Sequence, residues 1–236
     1  MHQLRIVYET SDELVVYKPR GMACEKRVET AGDSLLSILT GALNQQVFLP
    51  HRLDAITCGL VLAARSKEAV AFHNRQIANH HWQKYYLARV RWEKGLSADR
   101  FIGRHKAFLK RKGTRAMVVT SGGAPSFLEI LAIDDINGVP DERHVLIRLL
   151  TGRYHQIRVM FQSMGIPLTG DPLYSSRQES TERFYLEHAA MGFVQKGTGQ
   201  WQRVITPSNE LAETLSGTLY HRLQEESLRQ PAPGGC

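Results

Sequence analysis

Two short apolar runs open the chain, residues 4–8 (LRIVY) and 13–17 (ELVVY), with the polar segment ETSD between them. Their β-branched and aromatic content predicts two strands joined by a turn. Lys18-Pro19-Arg20-Gly21 then stops the second run with two punctuating residues. Apolar positions at 35, 36, 38, 39 and 43 predict a helix over 33–43, which Asp33 or Ser34 can cap. The stretch from His51 to Arg65 starts polar and ends in GLVLAA, the pattern of a buried strand. Ser66 is placed to cap a helix over 67–80, where Ala69, Val70, Phe72, His73, Ile77 and Ala78 recur at helical spacing. Residues 84–92 alternate as a strand does, with Tyr86, Ala88 and Val90 on one face and Tyr85, Leu87 and Arg89 on the other.

Further strands are predicted at 116–120, 126–133 and 144–150, with INGVPDE as a turn. TGRYHQIRVMFQSMG reads as a turn that enters a helix ending at Gly165, and IPLTGDPLY as a loop. Residues 210–229 have a helical pattern, and the closing QPAPGGC reads as a disordered tail. Strands outnumber helices, and they lack the regular alternation of a doubly wound fold. The fold class that follows is α+β with a mixed or mainly antiparallel sheet. Neither an internal repeat nor a low-complexity block is visible.

Composition narrows the class without fixing the function. Of 236 residues, 42 % are hydrophobic and 22 % charged, which excludes disordered, collagen-like and disulfide-scaffold chains. Thirty Lys and Arg against 23 Asp and Glu give +7. Such an excess suits a polyanionic partner and equally suits a solvated basic surface. Seven of these cations lie within residues 100–115: Arg100, Arg104, Lys106, Lys110, Arg111, Lys112 and Arg115. That run is either a solvated loop or an arm that contacts phosphates. Cys24, Cys58 and Cys236 are isolated, with no CxxC and no metal-ligand spacing. The start of the chain has no signal-peptide apolar core, and no stretch approaches the ~20 apolar residues of a bilayer span. A reducing, cytoplasmic setting is expected.

Three constellations could carry chemistry. In His51-Arg52-Leu53-Asp54-Ala55-Ile56-Thr57-Cys58-Gly59, three polar residues and a carboxylate stand directly before a buried strand. The plain alternative is an Arg–Asp pair that stabilises a turn. In Thr151-Gly152-Arg153-Tyr154-His155-Gln156-Ile157-Arg158, two arginines, a histidine, a tyrosine and a glutamine crowd the start of a helix, where anions bind. His155 on its own is as well explained as a structural histidine. In Lys84 to Ala88, a tyrosine pair on a strand is either packing or a platform on which a base can stack.

Taken in order, these motifs resemble the RluA-type pseudouridine synthases. HRLD followed by AITCG is similar to the family's HRLDxxTSG. IVYETSDELVVYKPRGM resembles its opening strands and Lys-Pro-x-Gly, QKYYLA its K-x-Y-x-A strand, TGRYHQIRV its TGRTHQIRV, and GIPLTGDPLY its G-x-P-I-x-GD-x-x-Y. The likeness covers roughly residues 5–195. Cys58 stands for the usual serine, Tyr154 for the usual threonine, and Glu187-His188 where a Leu-His-Ala run is usual.

The resemblance implies an α+β fold in which a central, mainly antiparallel sheet is split into two lobes flanked by helices. It implies a catalytic domain over 1–225, a tail over 226–236 and no N-terminal accessory RNA-binding domain. The implied reaction turns a uridine of tRNA or ribosomal RNA into pseudouridine without a metal or organic cofactor, in a monomer. Asp54 matches the essential aspartate, acting as nucleophile towards the sugar or as base at C2′. Either role needs it ionised, and Arg158 is the expected counter-charge. Tyr86 matches the tyrosine that stacks on uracil. Arg52 matches the arginine that enters the vacated stack once the base is flipped. Arg104, Lys110, Arg111, Lys112, Arg153 and His155 are the expected contacts to RNA. A catalytically silent RNA-binding protein of the same fold, or a hydrolase pairing Asp54 with His51 or His155, are the competing readings.

Overall fold

The computed structural model describes residues 4–26, 33–175, 184–206 and 217–230. The chain divides into two compact units. The first takes its described residues from Met1–Gln83 and Glu187–Pro207, the second from Lys84–Leu186; the C-terminal helix is shared, with Ser208–Glu226 assigned to the second and Ser227 onward to the first.

The first unit is built on β1 (Arg5–Glu9), β2 (Glu13–Lys18), β3 (Cys58–Ala64), β9 (Leu186–Val194, from Glu187) and β10 (Trp201–Ile205). β1–β2, β2–β3 and β9–β10 pair antiparallel, while β3 pairs β9 in parallel at Cys58↔Glu187 and Gly59↔His188. Thr10 makes the first turn by accepting from the backbone N–H groups of Asp12 and Glu13. Every residue of β3 is buried, which is why it reads as a continuous apolar run. Leu60 and Leu62 pack with Val15, Trp82, Met191, Phe193 and Val204 into one core cluster.

Two helices complete this unit, α1 (Leu35–Leu43) and α2 (Lys67–Ala78). Ser34, not Asp33, caps α1 through a reciprocal bond pattern with Ser37, and Ser66 caps α2 by accepting from the Ala69 N–H at 3.0 Å. A buried Glu13 accepts from His73 Nε2 at 3.1 Å and from the Lys196 N–H at 3.3 Å.

The second unit is a five-stranded antiparallel sheet in the order β4-β8-β7-β5-β6. Its strands are β4 (Gln83–Arg91), β5 (Gly103–Lys112), β6 (Arg115–Val119), β7 (Ala124–Ile136) and β8 (Val139–Leu149). α3 (Gln156–Ser163) follows the sheet, and α4 is Gly217–Leu228.

Several expectations change. The basic run is not a loop: its centre is β5, whose residues alternate outward Arg104, Lys106, Phe108 and Lys110 with inward His105, Ala107 and Leu109. The INGVPDE turn shrinks to Asn137-Gly138, because Ile136 already pairs Val139 and Gly138 supplies φ +76°. β9 and β10 lie where no strand was predicted. The tail does not begin at 226: α4 continues to Leu228, with Glu226 and Ser227 buried. The remaining 231–236, like 210–216 of the predicted helix, lie outside the described residues.

The glycine that ends the HRLDAITCG motif has a backbone reason. Gly59 sits at φ +113°, and a Cβ there would come within 2.4 Å of the His188 carbonyl oxygen on the paired strand. Left-handed strain and a backbone clash act together. Gly59→Ala is expected to lose about 2–4 kcal/mol of stability in chemical denaturation, with the parallel β3–β9 pairing lost first in hydrogen exchange.

Candidate active site

The loop that carries Asp54 is fastened along its length to β3. Phe48 exchanges two backbone hydrogen bonds with Ala64, at 2.9 and 2.8 Å. His51 Nε2 accepts from the Leu62 N–H at 3.0 Å, and its ring lies edge-on to Trp82 and His188. A turn closes through the Thr57 N–H on the Asp54 carbonyl at 3.0 Å, just before β3 begins. Asp54 itself is half-buried.

Residues 18–24 hold both neighbours of Asp54. The Leu53 N–H donates to Cys24 Sγ at 3.3 Å, and the Ala55 carbonyl accepts from the Gly21 N–H at 2.8 Å. Lys18 is fully buried, and its ammonium donates to the carbonyls of Pro19, Met22 and Ala55 at 3.0, 2.8 and 3.2 Å. Burial lowers the Lys18 pKa to about 8, against the opposing pull of Cys24, Cys58 and Asp54. A cation therefore acts on Asp54 from within its own unit, where only Arg158 was expected. The signal was the Lys-Pro-Arg-Gly motif, read as punctuation although its lysine is the tie between two loops.

The histidine at 51 accepts a backbone hydrogen bond through Nε2, which leaves that atom no proton-transfer role of the hydrolase kind. Arg52 is 67 % exposed at its side chain and pairs with Glu25 at 2.7 Å. The plain reading of an Arg52–Asp54 pair is thereby corrected: the turn is held by backbone groups, and the guanidinium stands out in solvent. Cys58 is buried, and desolvation, with Glu187 second, pushes its thiol up.

The second unit gathers the other motifs. Arg158 is buried and makes a two-pronged pair with Asp171, Nε to Oδ2 at 2.8 Å and Nη2 to Oδ1 at 2.9 Å. Asp171 Oδ1 also accepts from the N–H groups of Leu173 and Tyr174 at 2.9 and 3.1 Å. The QIR and GDPLY motifs are thus one structure, a pairing that no spacing in the sequence announced.

Tyr85 and Tyr86 point to opposite faces of β4, as alternation requires. Tyr85 is fully buried and donates to the Glu226 carbonyl at 2.8 Å, so it is packing. Tyr86 is 5 % exposed and pairs in register with Ile147.

The basic residues separate by face. Arg104, Lys110 and Lys112 are exposed on the outward side of the β5–β6 hairpin, where Arg104 stands 3.9 Å from Glu129. Arg111 turns the other way and lies 4.5 Å over the Tyr154 ring. Tyr154 also donates to the Thr114 carbonyl at 3.2 Å, Tyr174 accepts from the Ala116 N–H at 2.7 Å, and Arg115 bonds the Leu173 carbonyl. The hairpin is therefore pinned to the start of α3. His155, expected to face RNA, is buried: it stacks on Tyr154 at 3.8 Å and bonds the Tyr174 hydroxyl at 3.0 Å, which makes it a strut of this joint. Arg153 is exposed beside it.

Residues 12–163 match the sequence profile of the family described as RNA pseudouridylate synthase. The chain belongs to this family. An uncharacterized RNA pseudouridine synthase of Haemophilus influenzae is 30 % identical over 192 residues, covering 81 % of this chain and 82 % of that one. The ribosomal large subunit pseudouridine synthase C of Escherichia coli is 32 % identical over 231 residues, covering 87 % of this chain and 66 % of that one. A further relative from Mycoplasma pneumoniae, 30 % identical, is matched over 62 % of its length. Human RNA pseudouridylate synthase domain containing 1 has the same fold, with a TM-score of 0.77 at 24 % identity over 98 % of this chain and 97 % of that one.

The synthase fold is thus the α+β architecture that the resemblance implied, and the enzyme is an isomerase of the pseudouridine class. Among its described residues no helix is long and apolar enough to cross a membrane.

Lys18 gives a test of how the synthase holds its Asp54 loop. A lysine with a pKa near 8 in the folded protein and near 10.5 when unfolded is bound by more protons in the unfolded state between those values. Stability contributed at this site therefore rises with pH across that window. The unfolding free energy of the wild type minus that of Lys18→Met should grow from pH 8 to pH 10, and the variant should turn over at least about tenfold more slowly at pH 7.5, because the Ala55 tether and a nearby cation are gone.

Proposed function

We propose that this synthase isomerises a specific uridine in ribosomal RNA or tRNA, with Asp54 as the essential carboxylate. The observation that carries the reading is the set of backbone tethers on both sides of Asp54, which hold a half-buried carboxylate in place within the family's HRLD motif. In the reaction the N1–C1′ bond breaks, the uracil turns, a C5–C1′ bond forms, C5 gives up its proton to water, and N1 takes up a proton. Asp54 attacks C1′ or removes a proton from C2′, and is restored when the new bond closes. Tyr86 offers a stacking face to the uracil, worth about 1–3 kcal/mol. Arg158, joined to Asp171, supplies positive charge to the reacting groups, a role that rests on the match of its motif to the family.

The target base leaves its stack to react. Arg52 supports this step, since its planar guanidinium is exposed and substitutes for a base better than an ammonium does. The outward cations Arg104, Lys110 and Lys112, with Arg111 and Arg153 near the start of α3, suit phosphate contacts, so binding falls with salt. The name of the Escherichia coli relative favours large-subunit ribosomal RNA. The buried free thiols of Cys24 and Cys58 suit a cytoplasmic setting.

Purified protein is expected to release tritium from RNA labelled with [5-³H]uridine, leaving the strands uncut. Pseudouridine mapping of total RNA from a strain lacking the protein, against its parent, then identifies the uridine. No release from either ribosomal RNA or tRNA isolated from that strain would reject the reading in favour of an RNA-binding protein without catalysis.

A further inference from the structure

We propose that Lys84, reached past the bare backbone of Gly152, is a binding site for one phosphate group of the RNA substrate. Lys84 lies on β4, two residues from Tyr86 and on the same face of the strand. It is 9 % exposed, and among the described residues its ammonium has no hydrogen-bond acceptor and no carboxylate partner. Its neighbour is Gly152: a Cβ built there would meet the Lys84 ammonium at 3.6 Å and nothing else within 4 Å.

Among the described residues, the other buried ammonium shows what a satisfied one looks like. Lys18 donates to three carbonyls at 2.8–3.2 Å. Lys84 has burial without any of these compensations, and burial alone lowers its pKa to about 8. An ammonium largely withdrawn from water with no acceptor is unfavourable in the free protein. It becomes favourable when a ligand brings an anionic oxygen.

The route to it is open. Gly152 and Arg153 are exposed, so the ammonium sits below a stretch of surface without side-chain cover at 152. The cations of that surface, Arg153 itself and Arg111 over Tyr154, favour an anion over a neutral carbonyl. A phosphate of the strand that presents its base to Tyr86 fits this chemistry. The inference rests on RNA as substrate, and its test reads binding, whereas tritium release reads the reaction.

The experiment uses an RNA stem-loop that the wild-type enzyme has been shown to modify, with single phosphates replaced in turn by uncharged methylphosphonates. In the wild type, one position should weaken binding at least tenfold. Lys84→Met should bind unmodified RNA correspondingly more weakly, lose sensitivity at that one position, and lower the slope of log K against log salt by about 0.7–0.9, one phosphate contact. Gly152→Ala, which keeps the charge and covers it with a methyl group, should show the same loss. Lys84→Met should melt no lower than wild type, since the free protein is relieved of an uncompensated charge; Lys84→Gln serves if the methionine variant does not fold. The proposal is overturned if Lys84→Met keeps the wild-type salt slope and methylphosphonate profile, if its deficit tracks changes to the uracil carbonyls, or if both variants lose stability and binding together.

Discussion

Asp54→Asn is expected to abolish tritium release from [5-³H]uridine-labelled RNA while leaving RNA affinity within a few-fold of wild type. The substitution removes a negative charge and a nucleophilic oxygen while keeping the size of the side chain. The groups that shape the loop around it are the Leu53 N–H on Cys24, the Ala55 carbonyl on Gly21 and Lys18, and the Thr57 N–H on the carbonyl of residue 54, none of which uses the carboxylate. The fold should therefore stand. Loss of a general base or nucleophile slows a reaction by about 10²–10⁴ or more, a scale that separates catalysis from positioning. A single-turnover assay at saturating RNA measures it. Turnover near the wild-type rate would remove Asp54 from the mechanism.

Asp171→Ala should unfold the protein by about 3–5 kcal/mol more readily than any change at a surface ion pair. The reason is asymmetry. Removing Asp171 takes from the Arg158 guanidinium, which is 3 % exposed, both of its bonds to that carboxylate. Breaking one side of a buried, two-pronged ion pair is far more unfavourable than the pair was favourable. Asp171 Oδ1 also holds the N–H groups of Leu173 and Tyr174, so the GDPLY loop loosens with it. In a chain of this size the change corresponds to a Tm lower by roughly 10 °C. The double variant Arg158→Met/Asp171→Leu should recover most of that stability, being an apolar replacement of the whole pair, while remaining inactive if Arg158 serves the reaction. Calorimetry of the three variants decides the matter: a single variant as stable as wild type would show that the pair is not what holds these two motifs together.

What could be read from the sequence was what is decided locally. Ser34 and Ser66 signal helix starts because their bonds reach only three residues ahead. GLVLAA signals a buried strand because both of its faces are covered. Asp54, Tyr86 and Arg158 were named from motifs whose order is preserved. The misses are non-local. β9 carries Ala189, Ala190, Met191 and Gly192, residues with no strand preference, and pairing with β3 and β10 makes it a strand; a Cβ at Gly192 would come within 2.3 Å of the Trp201 ring. β5 was hidden by its charges, although Ala107 and Leu109 alternate with Lys106 and Phe108 as a strand demands. Lys18 reaches Ala55 across 37 positions, and Arg158 meets Asp171 around a loop of 13, distances over which no periodicity operates.

The joint between the β5–β6 hairpin and the start of α3 bears on how freely the hairpin can be altered. It is made by the rings of Tyr154 and Tyr174 and by Arg111 and Arg115, with no continuous sheet across it. Side chains can be exchanged without re-threading a strand. The hairpin is therefore expected to tolerate changes of length and charge at its tip without unravelling the sheet that carries it.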